Sequence, residues 1–279
     1  MKSGREEGIP YSLSRWTDVP GDPSKWLWFR AALKAKKMIA FDPRTAVPCE
    51  WSLKPEDTLG LVFWTKDPTN LVFDAPWLKN YRFKAHITVT GWWEAEKGVG
   101  SINDQVTRLH TAVTTLGPEN VTWRFSPVPM VEDVVQRFDR ILAMAAYTGL
   151  DRVYLSFLQA NDLMPETRTP DERLNILVQL AEVALKKNVK VILCNEDRML
   201  ADYPDTHPNL VSGICAPPED FALPGKACSP SEGCGCVLMA DPFTANESCS
   251  LNCRYCYAAD KSLSSKKHNT TQRSLPVVR

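Results

Sequence analysis

The sequence lacks any apolar run near the roughly 20 residues that a transmembrane helix needs. It also lacks net charge, since 33 Lys plus Arg balance 33 Asp plus Glu, which excludes a general electrostatic attraction to nucleic acid or anionic membrane. The first ten residues are polar with no apolar segment behind them, so we expect no signal peptide and a cytoplasmic protein. With 44% hydrophobic and 24% charged residues among 279, disorder and fibrous repeats are excluded as well.

Complete pairing of the cysteines is impossible, because there are nine of them. Disulfides are rare in a reducing compartment, so metal or iron–sulfur ligation is the favoured use of these thiols. Six of the nine lie between positions 228 and 256, which concentrates the expected chemistry there. The four histidines show no ligand spacing, and no catalytic residue is assigned.

Apolar runs alternate with helical patterns from residue 59 to residue 194. Strands are predicted at 59–65, 82–90, 121–125, 153–158 and 190–194, after a short extended segment at 11–14. Helices are predicted at 24–37 with Ser24 as N-cap, along the apolar stripe from Val131 to Ala145, and after the capping box of Thr169 and Glu172. This alternation predicts an α/β fold with a parallel sheet, in the form of a partial or complete TIM-like (β/α) barrel.

The periodic pattern stops near Pro204, where proline and glycine become frequent. We expect three parts: a βα barrel-like domain over 1–215, an irregular cysteine-rich region packed on it over 216–260, and a flexible tail over 261–279. The tail has five basic residues and no acidic one. Bound metal would order the cysteine-rich region, which otherwise has little periodic structure.

Three cysteines have the spacing C-x3-C-x2-C: Cys249, Cys253 and Cys256, with Tyr255 directly before the last. Three thiolates on one short loop can hold three irons of a cubane cluster and leave the fourth iron open. The alternative is a structural zinc loop completed by a fourth ligand. Common zinc sites use two matched cysteine pairs, so the spacing favours the cluster.

The sequence resembles a bacterial and phage family, a domain of unknown function with a C-terminal cysteine cluster similar to that of radical S-adenosylmethionine (SAM) proteins. The matching segments are spread over most of the chain: Ser14 to Pro20, Phe63 to Pro68, Thr88 to Gly91, Trp123 to Phe125, Ser156 to Leu158, Gly233 to Cys236 and Cys249 to Ala258. The family is similar at a distance to spore photoproduct lyase-like proteins. The resemblance places the cluster loop at the C-terminal end of the fold, whereas radical SAM proteins usually carry it after the first strand.

This resemblance implies a radical SAM-type enzyme with a site-differentiated [4Fe-4S] cluster and bound SAM. Its product would be a 5′-deoxyadenosyl radical that abstracts hydrogen from a substrate. An electron donor such as flavodoxin or ferredoxin is implied, and a nucleotide or nucleic acid is the expected substrate class, partly from the basic tail. The alternative is a non-enzymatic metal-binding protein with structural zinc or an electron-transfer iron–sulfur cluster.

A second cysteine group comprises Cys194, Cys215, Cys234 and Cys236. Four thiolates can complete an auxiliary iron–sulfur cluster or a zinc site, and the glycines flanking Cys234 permit a tight turn. The alternative is that Cys194 and Cys215 are small buried hydrophobic residues. Cys49 and Cys228 have no such pattern and are expected to be plain thiols.

Polar residues at or near predicted strand ends are the candidates for cofactor or substrate binding, since parallel α/β folds place their sites there. With the motif tyrosine, the candidates are Arg15, Asp18, Thr65, Lys66, Thr90, Arg124, Ser156, Glu196 and Tyr255. Arg124 is favoured for a carboxylate or phosphate because its planar fork matches either group. The alternative is that Arg124 pairs structurally with Asp18. The neighbouring tryptophans, Trp64, Trp92, Trp93 and Trp123, are expected to pack in the core more often than to stack on a base.

Overall fold

The computed structural model describes residues 10–43, 45–158, 163–194, 207–223, 235–244, 249–256 and 258. The strands are β1 Tyr11–Ser12, β2 Lys37–Phe41, β3 Pro48–Ser52, β4 Leu61–Thr65, β5 Phe83–Thr88, β6 Val121–Phe125, β7 Arg152–Leu155, β8 Lys190–Cys194 and β9 Leu210–Gly213. The α-helices are α1 Pro23–Ala35, α2 Thr69–Phe73, α3 Ala75–Leu78, α4 Ile102–Leu116, α5 Val134–Ala145 and α6 Pro170–Leu185. Two 3₁₀ turns, Ala146–Thr148 and Pro218–Phe221, complete the described elements.

The main sheet has seven parallel strands in the order β1-β4-β5-β6-β7-β8-β9. Apart from the separate β2–β3 hairpin, the order of the strands in the sheet is their order along the chain. Every crossover therefore leads to the adjacent strand in the same direction. Because parallel crossovers are right-handed, the helices between the strands collect on one face. The fold is thus α/β as predicted, and within the described ranges β1 and β9 do not pair to close a barrel.

Side-chain alternation gives the sheet two different faces. On β6, Val121, Trp123 and Phe125 are buried in the main core, and the intervening Thr122 and Arg124 point to the other side. Trp123 stacks on Phe138 of α5, with ring centroids 5.4 Å apart. Helices therefore cover one face, and the other face is left to polar and aromatic side chains.

We call the face that the helices do not cover the inner face. There, the strand register aligns side chains from neighbouring strands. Trp64 of β4 pairs with His86 of β5, and Arg124 of β6 pairs with Tyr154 of β7. Side chains at paired positions of parallel strands point the same way. The inner face consequently carries a row of functional groups across the middle of the sheet.

Residues 235–244 lie against the first strand of the sheet. Ser12 N donates to Ala240 O at 2.9 Å, and Phe41 of the β2–β3 hairpin bridges Asp241. At the other end of this segment, Val237 N donates to Ala216 O, three residues after β9. The segment therefore connects the chain that leaves one edge of the sheet with the strand at the opposite edge.

Several predicted elements are confirmed at their exact bounds. Strands 121–125 and 190–194 are β6 and β8, and the capping box of Thr169 and Glu172 opens α6. The predicted Ser24 cap is wrong: α1 begins at Pro23, and Asp22 Oδ1 accepts from the backbone N–H groups of residues 24 and 25. Helix α4, the β2–β3 hairpin and β9 were not predicted.

Two predictions, the division of the chain near residue 215 and the flexible tail, are not tested by the described residues. The expected division of the domain near residue 215 stays a prediction, and the tail 261–279 lies outside the described residues. Within the described ranges, no helix is long and apolar enough to cross a bilayer.

The aromatic contact between α5 and the sheet should contribute much of the stability. Phe138 is fully buried, so Phe138→Ala should lower the free energy of unfolding by about 3–5 kcal/mol, through lost burial and the cavity left behind. Phe73→Ala is the matched control, because Phe73 is 79% exposed and its loss should cost less than about 0.5 kcal/mol. Urea denaturation measures both, and equal effects would contradict the assignment of Phe138 to the core.

Candidate functional site

The three-cysteine loop packs on the segment that follows β5. Arg254 N donates to Ala95 O at 2.9 Å, and Ser250 Oγ donates to Gly21 O at 3.3 Å. Gly98 touches the loop so closely that a Cβ there would lie 2.6 Å from the Leu251 carbonyl oxygen. The loop is therefore fixed at the carboxyl ends of the first strands, the edge where parallel α/β folds place their sites.

A buried polar network lies beneath the loop. Lys66 Nζ is 2.8 Å from Glu96 Oε1, and the Tyr255 hydroxyl donates to the same oxygen. The Tyr255 ring stacks on Trp92, with centroids 5.2 Å apart and planes 14° from parallel. Lys66 Nζ also lies 5.5 Å from the centre of the Tyr255 ring. These contacts join the loop to the ends of β4 and β5.

Charges in this network determine its protonation. Burial and Glu96 raise the pKa of Tyr255 well above its usual range, so the hydroxyl stays protonated and donates. Burial tends to lower the pKa of Lys66, but Glu96 and Cys253 outweigh this and raise it, so Lys66 is a cation. The second oxygen of Glu96, Oε2, is buried and has no hydrogen-bond partner within the described ranges. An unpartnered buried carboxylate oxygen is costly, and a ligand N–H or O–H would satisfy it.

The Cys253 thiol is protonated in the protein alone. Burial raises the pKa of Cys253 to about 12, so binding a metal there would release a proton. Across the described ranges, no three His, Cys, Asp or Glu side chains are arranged to hold a single metal ion. In a cubane each cysteine binds a different iron, so its sulfurs need not converge on one point. Three thiols on one short loop are the donor set that such a cluster with one open iron would need.

Asp18 connects the chain after β1 to the end of β4. Its carboxylate accepts from Lys66 N at 2.7 Å and from Gly21 N at 2.9 Å, and the Thr65 hydroxyl also hydrogen-bonds to it. Burial raises the pKa of Asp18 to about 6, although these hydrogen bonds act in the opposite direction. The expected alternative pairing of Asp18 with Arg124 is wrong: within the described ranges no ion pair joins them, and Arg124 hydrogen-bonds to Cys215 instead.

The other predicted binding residues are distributed around this centre. Thr90 is fully buried and accepts from Trp92 N at 3.2 Å, whereas exposed Arg15 lies over the Trp16 ring. Ser156 shares a hydrogen bond with Ser126. Glu196 lies outside the described residues. The structure thus gathers Asp18, Thr65, Lys66 and Tyr255 beside the loop, and the binding role of every candidate stays a prediction.

The tryptophans divide between core and site. Trp123 lies in the main core and Trp64 stacks on His86 of the inner face, as expected for packing residues. Trp92 is buried against Tyr255, and its neighbour Trp93 is half exposed. Glu96, the acceptor at the centre of the network, was missed by sequence reasoning, since it follows no strand and belongs to no motif.

The second cysteine group lies on the inner face of the sheet. Cys215 Sγ is 3.3 Å from Cys236 Sγ, and Cys215 also hydrogen-bonds to Cys194 and Arg124. Hydrogen bonds from the two neighbouring thiols hold the pKa of Cys215 well below its usual range, against the effect of burial. Cys234 lies outside the described residues, so the predicted four-cysteine metal centre stays a prediction.

A cavity of about 1060 Å³ opens beside this group and is lined by Cys194, Cys215, Cys236, Tyr154 and His86. His86 is 1% exposed, stacks on Trp64 and meets Tyr154 edge-on. Burial lowers its pKa to about 4, so the ring is neutral at pH 7. Sequence reasoning gave this histidine no role. The available signal was its place in the middle of a predicted strand, where a polar ring is unusual.

Comparison with protein families matches residues 11–258 to the domain of unknown function DUF1848, so the chain belongs to this family. The matched range contains the whole seven-stranded sheet and the three-cysteine loop. Among curated proteins, none matches the chain. The expected membership of an uncharacterised domain family is therefore confirmed, and the relation to radical SAM proteins stays a prediction.

Asp18 should make stability depend on pH in a specific direction. Between its ordinary pKa of 3.8 and about 6, folded Asp18 keeps a proton that the unfolded chain has lost. The free energy of unfolding should therefore fall as pH rises through this window. Asp18→Asn should remove this part of the dependence, which urea denaturation at pH 4 and pH 6.5 would measure.

Asp139→Asn, at an exposed position of α5, is the control and should leave the pH dependence of wild type unchanged. Asp18→Asn also loses hydrogen bonds, so it should be less stable at both pH values, and only the difference between them is diagnostic. If the free energy of unfolding of Asp18→Asn changes between pH 4 and pH 6.5 as much as that of wild type, Asp18 is ionised throughout the window.

Proposed function

We propose that this chain is a radical SAM-type iron–sulfur enzyme whose [4Fe-4S] cluster is held by Cys249, Cys253 and Cys256. The observation that carries the proposal is the fixed position of this three-thiol loop over Glu96, which has a buried, unpartnered oxygen. The loop offers three thiols and no spaced fourth, which suits a cluster with one open iron. When bound, the cluster and SAM would supply a 5′-deoxyadenosyl radical that abstracts hydrogen from a substrate.

The residues of the chain provide the surroundings for this chemistry. Trp92, Leu158 and Tyr255 form a buried apolar cluster against which Cys253 packs, and such a wall excludes water. The Lys66 cation lies near enough to Cys253 to offset negative charge on thiolates. Glu96 Oε2 can accept a hydrogen bond from an ammonium or hydroxyl group of a bound ligand.

We further propose that the sheet is a partial (β/α) barrel. Its seven strands are parallel and sequential, and its helices lie on one face, as in a barrel wall. The segment 235–241 hydrogen-bonds to residue 216 and to β1, which supports curvature of the sheet toward closure.

For the substrate we propose a nucleotide or a nucleic acid, and for the electron donor a small protein such as flavodoxin or ferredoxin. The five basic residues of the tail, with no acidic one, support an anionic substrate, because they can contact phosphates although the whole chain is neutral. A cytoplasmic location, where reduced donors are present, belongs to the same proposal.

The test is anaerobic reconstitution followed by reduction in the presence of SAM. Wild type should be brown and should release 5′-deoxyadenosine, measured by mass spectrometry, even without its substrate. Cys253→Ala should abolish this product and lower the iron content per chain, because only two thiolates of the loop are left.

Cys49→Ala is the matched control, since Cys49 lies on the β3 strand of the hairpin, in a different part of the fold from the loop. It should keep the iron content and the 5′-deoxyadenosine of wild type. Protein that holds a full iron complement and binds SAM but makes no 5′-deoxyadenosine would refute the enzyme and favour electron transfer. Stoichiometric zinc in colourless protein would favour a structural site.

A further inference from the structure

We propose that Cys215 and Cys236 are a redox-active thiol pair that reduces a hydroperoxide in the cavity of the inner face. This site is separate in residues and chemistry from the three-cysteine loop. The inference does not rest on the proposed radical SAM function, and each can fail alone.

The two sulfurs are already in contact, with Cys215 Sγ 3.3 Å from Cys236 Sγ. The backbone beside them is paired as well, because Val237 N donates to Ala216 O at 3.0 Å. This pairing holds the two cysteine-bearing segments side by side. A bond between the sulfurs, about 2.05 Å long, then requires only a short approach of two side chains.

The surroundings distinguish the two thiols. Cys215 is half-buried and hydrogen-bonds to the Arg124 guanidinium and the Cys194 thiol, both of which stabilise a thiolate. Cys236 is 3% exposed. Cys215 is therefore the nucleophile, and Cys236 is the thiol that resolves its oxidised form.

The same arginine argues against a cation as the ligand of this site. A guanidinium in hydrogen-bond contact with Cys215 would repel a bare metal ion such as zinc, whereas it can donate to the oxygen that leaves a hydroperoxide. The cavity of about 1060 Å³ gives a small peroxide access to Cys215.

The reaction balances in two steps. The Cys215 thiolate attacks one peroxide oxygen and the O–O bond breaks. The departing hydroxide or alkoxide takes up the proton that Cys215 released on forming the thiolate, and becomes water or alcohol. Cys215 is now a sulfenic acid. The Cys236 sulfur then attacks the Cys215 sulfur, the S–O bond breaks, and the hydroxide leaves as water with the proton of Cys236. Two thiols are oxidised to one disulfide, and one peroxide is reduced.

The experiment adds one equivalent of hydrogen peroxide to the reduced full chain carrying Cys253→Ala, which removes the proposed cluster as a source of side reactions. Peptide mass spectrometry should find a Cys215–Cys236 disulfide, with two thiols lost per chain. Cys236→Ser in the same background should stop at the sulfenic acid, trapped as one dimedone adduct on Cys215. Cys49→Ser should leave disulfide formation unchanged.

Arg124→Gln should slow the oxidation by about tenfold or more, since a charge-assisted hydrogen bond to the thiolate is lost. Arg140→Gln, at an exposed position of α5 outside the cavity lining, is the matched control and should keep the wild-type rate. Thermal unfolding of each variant should show a folded protein, so that a slow rate reports chemistry.

Any of three results would overturn the proposal. They are that Cys215 reacts with peroxide no faster than Cys49 does, that the disulfide maps to another pair, and that purified protein holds a metal which Cys215→Ser removes. Faster disulfide formation with oxidised glutathione than with peroxide would refute the substrate class. Loss of 5′-deoxyadenosine in Cys253→Ala, with the disulfide intact, would leave both proposals standing.

Discussion

The rest of the structure depends on the one-directional winding of the parallel sheet. Because each crossover steps to the adjacent strand, the helices cover a single face, and aromatic residues such as Trp123 and Phe138 form the core there. The opposite face does not have to pack against these helices. It can therefore hold an arginine, a neutral histidine and thiols without a break in the main core.

A second constraint fixes the three-cysteine loop, which belongs to no strand or α-helix. A buried carboxylate is costly unless it is paired and hydrogen-bonded, and Glu96 has both Lys66 and Tyr255 as partners. Since Lys66 follows β4 and Tyr255 belongs to the loop, the electrostatic cost of separating them holds the loop on the sheet. The motif tyrosine is thus an anchor of the fold, whatever the cysteines bind.

Local signals in the sequence were enough for the strands and helices with strong patterns. The runs at 121–125 and 190–194 and the box of Thr169 and Glu172 carry their information within a few residues. The β2–β3 hairpin and β9 could not be found this way, because half-exposed strands have a weak apolar pattern. Contacts such as Tyr255 with Glu96, 159 residues apart, have no local signal. The cysteine groups were visible by spacing, whereas His86 and Glu96 needed the fold.

The hydrogen bonds between β1 and residue 240 also determine how the chain can fold during synthesis. Tyr11 and Ser12 leave the ribosome before the other strands of the sheet, but the backbone that pairs with one edge of their strand is made more than 200 residues later. That edge stays open while most of the sheet is being assembled, and exposed strand edges are templates for aggregation. Since β1 is only two residues long, the open edge offers little to a foreign strand before its own partner arrives.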